Sequence, residues 1–337
     1  MGIQIDLLAD WERLVLLQVG QLKRAGFALP DYTAWRQSRS VGQPLTAQAP
    51  PSGEAERHLE KAYQRDLIFL LIELDLRISS TQPRAIKRVK SFSCPFEYRI
   101  GLSTIEQKIQ NGESLLPHAS RGILNANRTD GLLFHWGIHH FHLGTVADPT
   151  HPFLVSRTDF VLYAMMTSTM AYFLAVDRHG RWIDLDLLRL VKSNFPEVLE
   201  PFRIKAGIDF GNPLTEKDRK ALRMQNVNSF LEIDGEHFIA PGGGVSLSGR
   251  SMKTTEVYIR TIGFFQSVQK AIVEHADKCR NEIERRCQCP LEEINATMNT
   301  LASDRVVVLD VAHHFECEAV LNSDRTQIVS ISFAYIA

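Results

Sequence analysis

Cysteine is scarce in this chain of 337 residues, which contains only five. An odd and sparse set argues against the disulfide framework of a small secreted protein. Cys287-Gln-Cys289 lacks the CxxC spacing of zinc and redox sites. For Cys279, Cys287 and Cys289 we therefore favour free thiols over a structural zinc site.

Long apolar runs are missing as well. The longest uncharged stretch, from Phe160 to Val176, falls short of the roughly 18–20 residues of a membrane-spanning helix and has Thr-Ser-Thr at its centre. The opening residues, MGIQIDLLADWERL, carry acids where a secretory signal has a basic region. The sequence thus predicts a cytoplasmic protein without a membrane segment.

An excess of either charge is also absent. The chain has 38 lysines and arginines against 39 aspartates and glutamates, for a net charge of -1. It therefore lacks the overall basic character typical of many nucleic-acid-binding proteins. Any anionic partner must be met by a local basic patch.

The length and the 44% hydrophobic content allow a sizeable core and two or three domains. Residues 37–55 are rich in Ser, Gly, Gln, Ala and Pro, which is typical of a flexible linker. We predict three segments: an N-terminal helix with this linker (1–54), a helical domain with a histidine-rich sheet (55–200), and a C-terminal α+β domain with a Gly/Ser loop (201–337).

Hydrophobic spacing predicts an α+β fold, with an N-terminal helical region, a central small antiparallel sheet with flanking helices, and a C-terminal α+β domain. Apolar residues recur at helical spacing in 1–29, 55–79, parts of 83–125, 182–190 and 255–286. Strand-like composition or alternation marks 138–143, 160–167, 170–176, 305–311 and 320–336, with a hairpin around Asp234-Gly235.

Histidine is concentrated in one part of the chain. Six of the twelve histidines lie between residues 135 and 179, namely His135, His139, His140, His142, His151 and His179. The unperturbed pKa of histidine lies close to neutral pH, and the side chain is the commonest metal ligand. We therefore expect any chemistry to be located in this segment.

His140 and His142 are two residues apart on a predicted strand, so their side chains share one face. They could act as general base and general acid in phosphodiester cleavage. With His179 they could instead bind a zinc or manganese ion. Packing or hydrogen bonding within a half-buried strand is the third alternative.

Arg157 and His179 flank the predicted hairpin. Arg157 precedes its first strand, where a guanidinium could bind the scissile phosphate and stabilise its transition state. His179 precedes Gly180 at the end of the second strand, where its ring could face a cleft. Asp177-Arg178-His179-Gly180 could equally be only a β-turn.

Two further segments are candidates for binding anions. Arg84, Lys87 and Arg88 would share one face of a predicted helix and could bind an RNA backbone, or simply form a solvated face. The segment from Pro241 to Ser251 could line an anion with backbone N–H groups, or form a flexible connection. Its candidate residues are Gly243, Gly244, Ser246, Ser248 and Arg250.

Over about residues 100–195 the order of elements resembles the RelE/HigB-type toxin fold. Helices are followed by a strand carrying His140 and His142-Leu143, a strand preceded by Arg157, and a strand ending in His179-Gly180. The resemblance implies a small ribonuclease that cuts mRNA without a metal, using basic and histidine residues on its sheet.

We therefore hypothesise a toxin- or phage-defence-type ribonuclease in which His140, His142, Arg157 and His179 act on RNA without a cofactor. A neutralising protein partner would fit such a role, and the C-terminal domain would control or target the enzyme. Two alternatives stay open: a metal-dependent hydrolase using the histidine cluster, and a non-enzymatic binding or scaffold protein whose Gly/Ser loop recognises a partner. The sequence predicts no oligomeric state.

Overall fold

The computed structural model describes residues 2–40, 53–79, 81–180, 185–205, 214–247, 249–302, 304–322 and 327–335. Helices and strands both contribute substantially to this part of the chain, which confirms the predicted α+β class. The α-helices are α1 (Leu7–Arg24), α2 (Tyr32–Ser40), α3 (Gly53–Ile78), α4 (Arg99–Asn111), α5 (Gly131–Trp136), α6 (Asp186–Asn194), α7 (Pro196–Leu199), α8 (Glu216–Met224), α9 (Met252–Lys278) and α10 (Arg280–Cys287).

The strands form two four-stranded sheets and one small hairpin. They are β1 (Ala85–Arg88), β2 (Ile138–His142), β3 (Phe160–Met166), β4 (Met170–Arg178), β5 (Leu231–Ile233), β6 (Glu236–Phe238), β7 (Thr297–Leu301), β8 (Arg305–Asp310), β9 (Phe315–Leu321) and β10 (Ile328–Tyr335). None of the described helices combines the length and apolar character needed to cross a membrane.

The chain forms two compact units that differ from the three predicted segments. Unit 1 comprises Met1–Gln21, Pro44–Ile68 and Val257–Ala337, and unit 2 comprises Leu22–Gln43 and Phe69–Glu256. The N-terminal residues Ile3 and Leu7 belong to the same buried core as α9, α10 and the C-terminal sheet. Local hydrophobic spacing does not reveal this pairing of distant segments. Of the predicted linker, residues 41–52 lie outside the described residues.

Unit 1 contains an antiparallel sheet with the strand order β10-β9-β8-β7. Alternate residues of β9 are buried, as expected when one face of a strand packs on a core. The predicted helix over 255–286 is divided into α9 and α10, with Cys279 between them. All five cysteines of the chain are free thiols.

Unit 2 contains the histidine-rich sheet, with the strand order β1-β4-β3-β2. The predicted β3–β4 hairpin is confirmed, and β2 pairs antiparallel with β3 at one edge of the sheet. One face packs against the apolar side of α4, including Ile105 and Ile109. The other face packs against residues of α5 and α6, such as Trp136 and Leu188. Packing on both faces explains why most residues of β2, β3 and β4 are buried.

The segment carrying Arg84, Lys87 and Arg88 is not the predicted helix. Residues Ala85–Arg88 form β1, which pairs in parallel with β4. The Nε of Arg84 donates to the carbonyl oxygen of Thr167 at 2.7 Å, which fixes the start of this strand. Pairing with a segment about eighty residues away therefore overrides the local helical pattern.

Candidate functional site

The histidines of β2 alternate between the two faces of the sheet, as predicted. His139 stacks on Phe141 on one face, with ring centroids 5.5 Å apart. His140 and His142 lie on the other face, opposite Tyr163 and Val161 of β3. All three histidines are buried, so their rings are held in place by the surrounding packing.

The end of the β3–β4 hairpin brings His179 to these two residues. Its backbone N–H donates to the carbonyl oxygen of Asp159 at 2.8 Å. The ring of His179 lies 5.2 Å from that of His140 in an edge-on orientation and stacks on that of His142 at 5.5 Å. Three of the four predicted catalytic residues are therefore in one cluster.

His140, His179 and the fourth predicted residue, Arg157, line a cavity of about 1030 Å³. This volume is at the upper end of the roughly 300–1,000 Å³ typical of ligand sites. The other cationic or titratable residues of its described lining are Arg77, Arg121, Arg128, Lys220, Arg223, His135, His151 and Asp130. Asp130 is the one acid of that lining, so five arginines and a lysine make the cavity attractive to anions.

Asp130 connects the cavity to the start of α5. One carboxylate oxygen accepts from the backbone N–H of Leu133 at 3.1 Å and caps the helix. The other lies 3.9 Å from Nδ1 of His140. A carboxylate in this position stabilises the imidazolium that forms when His140 accepts a proton.

Protein contacts orient two of the cavity arginines. Arg77 at the end of α3 donates to the carbonyl oxygen of Gly122 at 2.6 Å. The Nε of Arg121 donates to the buried carboxylate of Asp148 at 2.9 Å. Such contacts reduce the entropy that a guanidinium would lose on binding an anion.

The cavity arginines other than Arg157 were not predicted from the sequence. A signal was present, because the segment from Ser120 to Asp130 combines two arginines with asparagine and glycine just before an apolar helix. The remaining positions, Arg77 and Arg223, lie on helices far away in the sequence. Only the fold brings them to the histidines.

Burial lowers the pKa of the cluster histidines. For His140, desolvation is the main cause; Asp130 opposes it, and Arg77, Arg128 and Arg157 add to it. The pKa of His179 is lowered by desolvation and by the nearby His140 and Arg157. Both rings thus favour the neutral form, and an anion bound among the arginines would shift them back towards the protonated form.

His142 lies behind the cavity surface. Its Nδ1 accepts from the backbone N–H of Thr158 at 3.2 Å, and its carbonyl oxygen is 2.8 Å from Nδ1 of His118. Desolvation, followed by the charges of His140 and His179, lowers its pKa to about 3. His142 is outside the cavity lining. It therefore contacts the cavity through His179, on which its ring stacks.

A second cavity, of about 480 Å³, adjoins the cluster. Arg157 and His179 line both cavities, and the smaller one also contains Arg178. Arg157 and His179 therefore lie at the boundary between the two cavities.

This chain matches no known family model, no curated protein and no solved structure. The resemblance to RelE/HigB-type toxins accordingly stays a prediction from the sequence. Within the part of the chain that is described, no three His, Cys, Asp or Glu side chains are grouped so as to hold a metal ion.

The predicted RNA-binding residues Arg84, Lys87 and Arg88 do not form a common surface. Arg84 is buried against the Thr167 carbonyl. Arg88 pairs with Glu106 at 2.6 Å, and Lys87 lies 3.9 Å from Glu197. None of the three lines the histidine cavity. The shared-face prediction was wrong because a strand alternates its side chains, whereas a helix would have aligned them.

The predicted anion-binding loop is held together by its own hydrogen bonds. The N–H groups of Gly242 and Gly244 donate to the carbonyl oxygens of His135 and Phe134 at the end of α5. The N–H of Gly243 donates to Ala240, and that of Ser246 to Arg250.

The charged side chain of the loop is also engaged, since Arg250 lies 3.8 Å from the buried Glu73. The N–H groups of Gly243, Gly244 and Ser246 are thus already used, which contradicts the predicted anion cradle. Instead, the loop satisfies the C-terminal carbonyls of α5. Ser248 lies outside the described residues.

Proposed function

We propose that this protein is a metal-independent ribonuclease that cuts within single-stranded RNA. The observation that supports it best is the pair of His140 and His179 in a cavity with five arginines. The centroids of the two imidazole rings are 5.2 Å apart. Two imidazoles at this separation can serve a donor and an acceptor oxygen of the same phosphodiester. Arg77, Arg128 and Arg157, whose charges act on His140, can bind the phosphate and stabilise the charge that it gains in the transition state.

His140 is the general base, because the carboxylate of Asp130 lies beside it and stabilises the imidazolium that forms when it takes up a proton. It removes the proton of the ribose 2′-hydroxyl, and the 2′-oxygen attacks phosphorus. The bond from phosphorus to the 5′-oxygen breaks, and His179 donates a proton to that oxygen. The products are a 2′,3′-cyclic phosphate and a 5′-hydroxyl, and Arg157 binds the phosphate throughout.

The two adjoining cavities favour a polymeric substrate. Arg157 and His179 line both cavities. The scissile phosphate can therefore lie beside these two residues, while the RNA continues from it into each cavity. Arg178 in the smaller cavity provides a further cation for the next phosphate. This arrangement suits cleavage within a strand.

The toxin or phage-defence role, a cytoplasmic location and a neutralising protein partner belong to the same proposal. They rest on the resemblance to RelE/HigB-type toxins around His140, His142, Arg157 and His179. A site rich in basic and histidine side chains is the feature that the resemblance and the cavity have in common.

A chimeric oligonucleotide tests the proposed chemistry. The purified protein is incubated in EDTA with single-stranded RNA and with the same RNA carrying one 2′-deoxynucleotide at the principal cleavage site. We expect 2′,3′-cyclic phosphate ends from the RNA and no cleavage at the deoxy position, because the nucleophile is missing there. Cleavage that required zinc or manganese, or nucleotide binding without any cleavage, would contradict the proposal and favour its two alternatives.

The pH dependence of kcat/KM is expected to peak below pH 6.5, the ordinary pKa of histidine. The base works above its pKa and the acid below its pKa, and burial lowers both values in the free enzyme. The profile of kcat should lie at higher pH, because bound phosphate raises both pKa values. Steady-state rates on a dinucleotide from pH about 4 to about 8 measure both profiles. Coincident profiles above pH 6.5 would argue against this pair.

A further inference from the structure

One wall of the cavity carries a cation–π pair that the proposed chemistry does not use. The guanidinium of Arg223, on α8, lies over the ring of Trp136, on α5, with its carbon 4.2 Å from the ring centroid. Trp136 is fully buried, whereas Arg223 lines the cavity. The indole therefore lies directly against the guanidinium and restricts its orientation.

We propose that Arg223, held on Trp136, is the platform on which a nucleobase of the substrate stacks. This inference rests on the proposed function, since it names the part of RNA that the same cavity recognises. A planar guanidinium stacks on bases much as an aromatic ring does, and single-stranded RNA offers unstacked bases for this purpose. Stacking tolerates all four bases, because each has a π-face.

The surroundings of the platform support a base in preference to a phosphate. Burial, followed by the charge of Arg219, lowers the pKa of the Arg223 guanidinium to about 10, which indicates that this group is partly desolvated. His135 also lines this cavity, and desolvation together with Arg223 lowers its pKa to about 4. A neutral imidazole offers one donor and one acceptor, which suits the polar edge of a base. Met224, 79% exposed, adds an apolar surface on the same wall.

Lys220 provides a matched control. It lies on α8 one turn before Arg223, is exposed and lines the same cavity. It contributes a positive charge without a planar group, so its removal reports on charge alone. Arg223→Lys makes the complementary change, because it keeps the charge and removes the plane.

The experiment compares two ligands that differ in the base. Binding of adenosine 5′-monophosphate and of ribose 5-phosphate is measured by calorimetry at constant ionic strength, for wild type, Arg223→Lys and Lys220→Ala. Near-UV circular dichroism verifies that each variant is folded. We expect wild type to prefer the nucleotide by roughly 5- to 150-fold, the range typical of one stacked base. Arg223→Lys should remove most of this preference. Lys220→Ala should lower the affinity for both ligands by a similar factor.

The platform would be overturned if Arg223→Lys kept the preference for the nucleotide over ribose 5-phosphate. It would also be overturned if this variant lost the same factor of affinity for both ligands. Because the assay measures binding alone, it separates this inference from the proposed reaction. A base preference that depends on Arg223 in a protein that cleaves no RNA would support the platform and refute the ribonuclease. Cleavage of RNA by a protein without such a base preference would support the ribonuclease and refute the platform.

Discussion

His179→Ala is expected to reduce the rate of RNA cleavage by roughly 10²- to 10⁴-fold, the usual contribution of a general acid or base. We expect the rate to fall because the leaving 5′-oxygen is no longer protonated. A substrate with a good leaving group, such as a nucleoside 3′-(4-nitrophenyl) phosphate, does not need that proton. The variant should therefore retain much more activity on this ester than on RNA, while His140→Ala should lose activity on both.

His151→Ala is the matched control, because His151 lines the same cavity without stacking on His140 or His142. We expect it to cleave RNA within a few-fold of wild type. Its ring centroid lies 6.2 Å from that of Phe153 instead. If His151→Ala lost as much activity as His179→Ala on RNA, the assignment of the acid would be wrong. Expression in bacteria extends the test: RNA degradation and growth arrest should follow the activity of each variant.

The stability of the folded protein is expected to decrease steeply as the pH falls from 6.5 towards 4. Desolvation lowers the pKa of His135 and His139 to about 4 and that of His142 to about 3. These rings stay neutral in the folded state, whereas the unfolded chain binds protons on them below pH 6.5. The unfolded state then holds more protons, so each histidine removes up to about 1.4 kcal/mol of stability per pH unit across that window. Above pH 6.5 this contribution is constant.

His142→Asn isolates one of these histidines. The Oδ1 of asparagine can replace Nδ1 as the acceptor of the Thr158 N–H but cannot take up a proton. The variant should therefore show a shallower loss of stability on acidification, by up to about 1.4 kcal/mol per pH unit. Urea unfolding at several pH values measures the slope, with the exposed His58→Asn as control. Equal slopes for wild type and His142→Asn would contradict the buried, neutral state of this ring.

The sequence could predict those parts of the site that depend on local pattern. Alternation along β2 correctly placed His140 and His142 on one face. The hairpin placed His179 at a strand end, near enough to stack on His142. Both outcomes follow from the two-residue period of a strand, which is visible in a single segment.

What the sequence could not supply is pairing between distant segments. Arg84 is fixed by the carbonyl of Thr167, and a strand of four residues has too weak a pattern to be distinguished from a helical turn. The glycine loop looked suited to an anion because its partners, the Phe134 and His135 carbonyls, lie about a hundred residues earlier. Likewise, the charge of the cavity is the sum of arginines from separate segments.

The division of the chain into units has a consequence for its synthesis. A ribosome releases the first segment of unit 1, with Ile3 and Leu7, long before the α9 and β9 residues that bury them. At about 5–20 residues per second the wait is on the order of ten seconds or more, during which unit 2 emerges complete. The nascent chain thus presents unit 2 first, while the apolar segment around Ile3 and Leu7 stays uncovered until α9 and β9 have emerged.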